Sequence, residues 1–202
     1  MATREQLTAL LAQLLAAPHD GRVRSAVDAA LAEISDANLL AEVLQDFVVE
    51  LPVAEAIERR LTALNSSNPL AWVRVARALA HYVDSEDKRD HVMALVRRVL
   101  AQHPDNSDAL ALGILLWAAP SRNAPRMELM EWSERYVDLN PRNPDALSMR
   151  AKMLLQLDGE QDAIRFLAER LRSEQPDSDL AGHLQELLGR IKAGEDILRQ
   201  WP

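Results

Sequence analysis

Cysteine is missing from all 202 residues, which excludes disulfide frameworks and thiolate metal sites. Glycine and proline are few, 6 and 10 residues, and 48% of the chain is apolar, so long disordered tracts are excluded and a folded core is expected. Basic residues are outnumbered, 23 against 31 acidic, giving a net charge of −8. Such a balance argues against general nucleic-acid binding, which requires phosphate neutralisation, and suits basic or peptide-like partners. No apolar run approaches the roughly 20 residues that span a bilayer as a helix. Catalytic signatures are missing too. There is no glycine-rich phosphate loop, no nucleophile elbow, and no serine, histidine and acid at a supporting spacing. The histidines are His19, His81, His91, His103 and His183, and none pairs with another as His-x-x-x-His on one helix face, so neither metal nor cofactor is expected. The acidic run Asp84 to Asp90 lacks the alternating aspartate and glycine order of a calcium loop and reads as helix capping.

What is present is helical periodicity. Asn68 suits an N-cap, and Pro69 sits where a missing N–H costs nothing. Trp72, Val75, Ala76 and Leu79 follow at i, i+3, i+4 and i+7, one apolar stripe of a helix. Asp84-Ser85-Glu86-Asp87 interrupts it with residues that bond their own backbone. A second stripe, Val92, Leu95, Val96, Val99 and Leu100, ends before Pro104. The small Ala76 lets the second helix approach closely. Each helix has one buried face and is marginal alone, so the pair needs neighbours.

Those neighbours repeat. Alanines opening the first helix of a pair fall at Ala71, Ala109, Ala146 and Ala181, spaced by 38, 37 and 35 residues. Closing prolines fall at Pro104, Pro141 and Pro176. An earlier unit, residues 37–67, carries Leu40, Val43, Leu44 and Phe47 on its first helix, with Ala56 and Ala63 as the small residues of its second. This period and pattern resemble the tetratricopeptide repeat. Trp72, Val75, Ala76 and Leu79 stand where that family has Trp, Leu, Gly or Ala, and Tyr, and Leu112, Gly113 and Leu116 repeat part of the set. The third unit departs in its long inter-helix loop, Ala118 to Pro125. The fourth departs at Arg150, where an apolar or small residue is expected, leaving the phase there open by one residue.

The expected organisation is one elongated domain: a capping pair over 1–35, then units over about 36–67, 68–105, 106–142, 143–176 and a partial 177–202. The resemblance implies an all-α, right-handed solenoid of stacked antiparallel helix pairs. In the capping pair, Thr3-Arg4-Glu5-Gln6 forms a capping box and Leu7, Leu10, Leu11, Leu14 and Leu15 form the stripe. A signal peptide is disfavoured there, because Gln13 interrupts a short apolar run and Glu5 sits where positive charge belongs, so a cytoplasmic location is expected. The third unit's first helix is expected over Ala109–Ala118, apolar almost all round and hence buried on more than one side. Its second carries Leu129, Trp132, Tyr136 and Leu139.

The family is a binding scaffold rather than an enzyme, and the resemblance implies a concave groove lined by the first helices. Arg74, Arg77 and His81, with Lys152 on the same wall, then form a basic ridge for an acidic or carboxylate-bearing peptide, or else a plain solvated face. Trp117 is either a ligand anchor on an apolar floor or core. The family's full carboxylate clamp is not carried over, since matching positions hold Glu42, Gln45 and apolar residues. The function implied is a non-enzymatic adaptor, co-chaperone or assembly factor. Alternatives are a homo-oligomer subunit joined through Ile197, Leu198 and Trp201, a secretion-type chaperone, or a subunit whose active residues lie on another chain.

Overall fold

The computed structural model describes residues 3–47, 50–117 and 125–199. Among these the chain is all-helical, with eleven α-helices and no strand. It divides into two compact units, one ending at Asn106 and the other beginning at Ser107, a boundary that falls between the second and third of the expected repeats.

The first unit holds α1 (Arg4–Ala16), α2 (Gly21–Ala32), α3 (Ala37–Gln45), α4 (Leu51–Ala63), α5 (Pro69–Ala80) and α6 (Glu86–Gln102). Most starts are fixed by side-chain caps. Thr3 and Gln6 form the reciprocal capping box, and Asp20, Asp36, Asn68 and Ser85 each accept a backbone N–H of the helix they open. The acidic stretch after α5 thus supplies a cap. Neighbouring helices pack in pairs, α1 on α2, α3 on α4 and α5 on α6, and α5 also packs on α3 and α4. Short connections make such pairs antiparallel.

The expected stripe of α5 is buried in full, and Val73 and Ala78 are buried beside it. Trp72 is 1% exposed; its indole Nε1–H donates to the Ser66 carbonyl at 2.7 Å. Arg98 of α6 lies over the ring, 4.1 Å from its centroid, and donates to that same carbonyl at 3.3 Å. One linker oxygen is thus held by both helices of the hairpin.

α3 is shorter than its apolar pattern suggests. Pro52 lies in the first turn of α4 and Glu50 is its extended N-cap, so the chain must leave α3 well before Glu50. Asp46 ends α3, and Phe47, expected on its stripe, falls beyond the cap and is half-buried.

The second unit holds α7 (Ser107–Leu115), α8 (Arg126–Leu139), α9 (Pro144–Leu157), α10 (Glu160–Ser173), α11 (Asp179–Lys192) and a 3₁₀ turn, Ile197–Arg199. Each helix packs on the next, and α9 also packs on α11 and on the 3₁₀ turn. α7 starts earlier and stops earlier than expected, leaving Leu116 and Trp117 in a turn where Trp117 N–H donates to the Ile114 carbonyl at 3.1 Å. Most of the expected loop, residues 118–124, lies outside the described residues. Asn143 caps α9 and Ser178 caps α11. The turn before α10 uses Gly159 at φ +106°, and the turn after α11 uses Gly194 at φ +72°, both in the left-handed region that glycine tolerates.

Two details correct the sequence reading. Counting from the caps Asn68 and Asn143 aligns Ala151 with Ala76 and Arg150 with Val75, so Arg150 occupies an apolar position and the phase is fixed. Its side chain is 13% exposed, and the guanidinium donates to the Met130 carbonyl at 2.7 Å and to Ser133 Oγ at 2.8 Å, with Glu134 at 3.8 Å. That crossing turns the Ser133 side of α8 inward. Leu129, Trp132, Ser133, Tyr136 and Val137 are buried, whereas Leu139 is 42% exposed.

Candidate functional site

Asp145, Ser148, Met149 and Lys152 fall at i, i+3, i+4 and i+7 of α9, and therefore on one face. His183, Leu187 and Arg190 do the same on α11, at i, i+4 and i+7. Because α9 packs on α11, these two faces line one cavity of about 220 Å³, closed at one side by Ile197. Met149, Leu187 and Ile197 are buried and give the cavity an apolar wall. Its polar groups converge from both helices. Ser148 Oγ and His183 Nε2 share a hydrogen bond of 2.8 Å. Lys152 is only 7% exposed. Burial first, and the Arg190 charge second, hold its amine below the ordinary lysine range, while Asp145 pulls the other way. Arg190 Nε donates to Glu195 Oε2 at 2.9 Å, a contact made by the Gly194 turn.

The sequence-derived candidates separate on this geometry. Lys152 is in the cavity, although buried rather than standing on an open wall. Arg74 is half-buried and donates to the Ala41 carbonyl at 2.7 Å, so part of its guanidinium ties α5 to α3. Arg77 is exposed on α5, and exposed His81 is the C-cap of that helix. Trp117 is buried in the turn after α7. Ile197 is 1% exposed and packs inside the second unit, Leu198 is half-buried, and Trp201 lies outside the described residues.

The chain matches no family model, no curated protein and no solved structure.

Ser148, His183 and Arg190 escaped the sequence reading, yet a signal for two of them exists. Ser148 is the fifth residue after the cap Asn143, and His183 the fifth after the cap Ser178, so two polar residues occupy the same place in α9 and α11. In α5 that place holds Val73. A larger depression in the first unit, about 680 Å³, lies over the turns that open α3 and α5. Its amides already serve the fold, with Asn68 Nδ2 donating to Asn38 Oδ1 at 2.7 Å while Asn68 Oδ1 caps α5. Among the described residues no helix is long and apolar enough to cross a membrane, and no group of His, Cys, Asp and Glu is placed to hold a metal.

Chemically, the cavity between α9 and α11 offers an ammonium, a guanidinium, an imidazole and a hydroxyl over an apolar wall. That donor set suits a small anionic group such as a carboxylate, which charge-assisted hydrogen bonds hold best in a partly dehydrated site.

Proposed function

We propose that this chain is a non-enzymatic protein-interaction module, a cytoplasmic adaptor, co-chaperone or assembly factor whose helix hairpins stack as a right-handed tetratricopeptide-like solenoid. It holds a peptide or helix of a partner protein, and the partner carries an acidic or carboxylate-bearing segment. The observation that supports this reading is the cavity in which Lys152, His183 and Arg190 converge from the first helices of two successive hairpins. Repeat scaffolds bind through residues at matching places in neighbouring units, and the paired positions of Ser148 and His183 follow that logic. Arg77 and His81, exposed on α5, are the basic residues the first unit would offer to an acidic segment.

Self-assembly through the C-terminal end is the weaker alternative. Ile197, one of the residues it would use, is already packed against the cavity.

Capture from a native lysate tests the reading. Proteins retained by the wild type and released by an acidic peptide should be lost with Arg190→Glu, while helicity is unchanged. Identical retention by the variant would remove this cavity from partner binding.

A further inference from the structure

Within that carboxylate-binding reading, on which this step rests, we infer that the cavity between α9 and α11 takes up a proton on His183 when it captures a carboxylate, so that capture strengthens as pH falls. The geometry supplies the reason. Among the described residues, Lys152 and Arg190 bring positive charge to the cavity and Asp145 and Glu195 negative, so with His183 neutral these four cancel. Arg190 already donates to Glu195, and Asp145 shares the face of α9 that carries Lys152. An incoming carboxylate therefore meets no net positive charge until the imidazole is protonated.

Among the described residues, the charged and polar groups around His183 come from α9, from α11 and from the turn after it. α9 presents Asp145, Lys152 and the Ser148 hydroxyl. On α11 itself, Arg190 shares the cavity, and Asp179 and Glu186 stand at i−4 and i+3, both exposed. Glu195 acts through Arg190. Among the described residues, none that lines the cavity comes from α10. A protonated His183 gives this otherwise balanced set one net positive charge in the empty cavity. A bound carboxylate offsets that charge. Ser148 accommodates both states, since its hydroxyl can donate to the neutral ring or accept from the charged one. Histidine is the side chain whose charge ordinarily changes between about pH 5 and 8, so the experiment spans that range. Linkage is reciprocal: if the anion favours the proton, the proton favours the anion by the same factor. One additional unit charge within a few ångströms of a carboxylate at a partly hydrated site corresponds to at least about tenfold in affinity.

The experiment uses the full chain and acetate as probe, with acetamide as its neutral counterpart, at constant ionic strength. The five histidine ring signals, His19, His81, His91, His103 and His183, are followed by NMR from pH 8 to 5.5. Expected is acetate binding about tenfold tighter at the acid end, with the His183 signal titrating at higher pH in acetate than in acetamide and the other four unmoved. His183→Gln, which can still bond Ser148, should bind acetate with a flat pH profile. If acetate binds but His183 titrates alike in both solutions, and His183→Gln keeps the wild-type profile, proton coupling is overturned and the carboxylate site stands. If acetate perturbs no cavity residue at either pH, the carboxylate reading itself fails, and the inference with it.

Discussion

Replacing Trp72 with phenylalanine gives the sharpest test of how the α5–α6 hairpin is held. Trp72 is fully buried, its Nε1–H reaches the Ser66 carbonyl at 2.7 Å, and Arg98 stacks on its ring at 4.1 Å. Phenylalanine keeps an aromatic face but loses the hydrogen bond, which contributes about 1 kcal/mol net. It also leaves a void where the second ring was, adding about 1–2 kcal/mol by analogy with large-to-small core changes. The Ser66 carbonyl is not orphaned, because Arg98 still donates to it at 3.3 Å. The expected loss is therefore about 2–3 kcal/mol, at the low end for tryptophan truncation. Arg98→Met, which retains the aliphatic stem, should cost about 1–2 kcal/mol from the lost hydrogen bond and stacking. The double variant leaves the Ser66 carbonyl without either of these donors, so it should be more destabilised than the sum of the two by about 1 kcal/mol. Urea unfolding followed by circular dichroism reads all three. Additive effects, or a loss below about 0.5 kcal/mol for Trp72→Phe, would refute the shared-carbonyl account.

Arg150→Leu should be nearly neutral or stabilising, since it restores an apolar residue at an apolar place, whereas Arg150→Ala should cost about 2–4 kcal/mol through the cavity it leaves; urea midpoints that rank the two in reverse would contradict the phase assigned to α9. Gly159→Ala meets no neighbouring atom within 4 Å, so its expected cost of about 1–3 kcal/mol comes from the backbone at φ +106° and ψ 175° alone, and thermal unfolding without such a loss would refute strain there. Lys152→Met should be at least as stable as the wild type near neutral pH. Burial lowers the lysine's pKa in the folded state, so the unfolded chain holds the proton more tightly. The resulting penalty is full below the folded value and fades as pH rises toward the unfolded value of about 10.4. Unfolding free energies of the two proteins should therefore converge on alkalinisation, and a gap that widens would reverse the sign assigned to the buried amine.

Much of the helix inventory was legible because its signals are local. Thr3, Asp36, Asn68 and Ser85 cap where their types and positions indicate, and α6 stops at Gln102, just before Pro104. The stripe of α5 needed only its 3.6-residue period. What failed depended on partners far along the chain. Leu139 fits the α8 stripe by periodicity alone, and only the arrival of Arg150 from α9 shows which arc is buried. Phe47 reads as helical until the geometry required by Pro52 shortens α3. Arg74 and Arg77 look equivalent as basic residues three apart, yet one is turned to the Ala41 carbonyl and the other is exposed. The cavity was invisible for the same reason. Ser148 and His183 are 35 residues apart, and only the packing of α9 on α11 makes them neighbours.

The central claim, that the convergence of Lys152, His183 and Arg190 receives an acidic segment of a partner, is tested most directly by isothermal titration of a hexaglutamate peptide into the full chain near pH 6. Saturable binding at one site, lost in Arg190→Glu and undetectable for hexaglutamine, is the predicted result. Binding that survives Arg190→Glu unchanged, or no heat from hexaglutamate in the wild type, would contradict it.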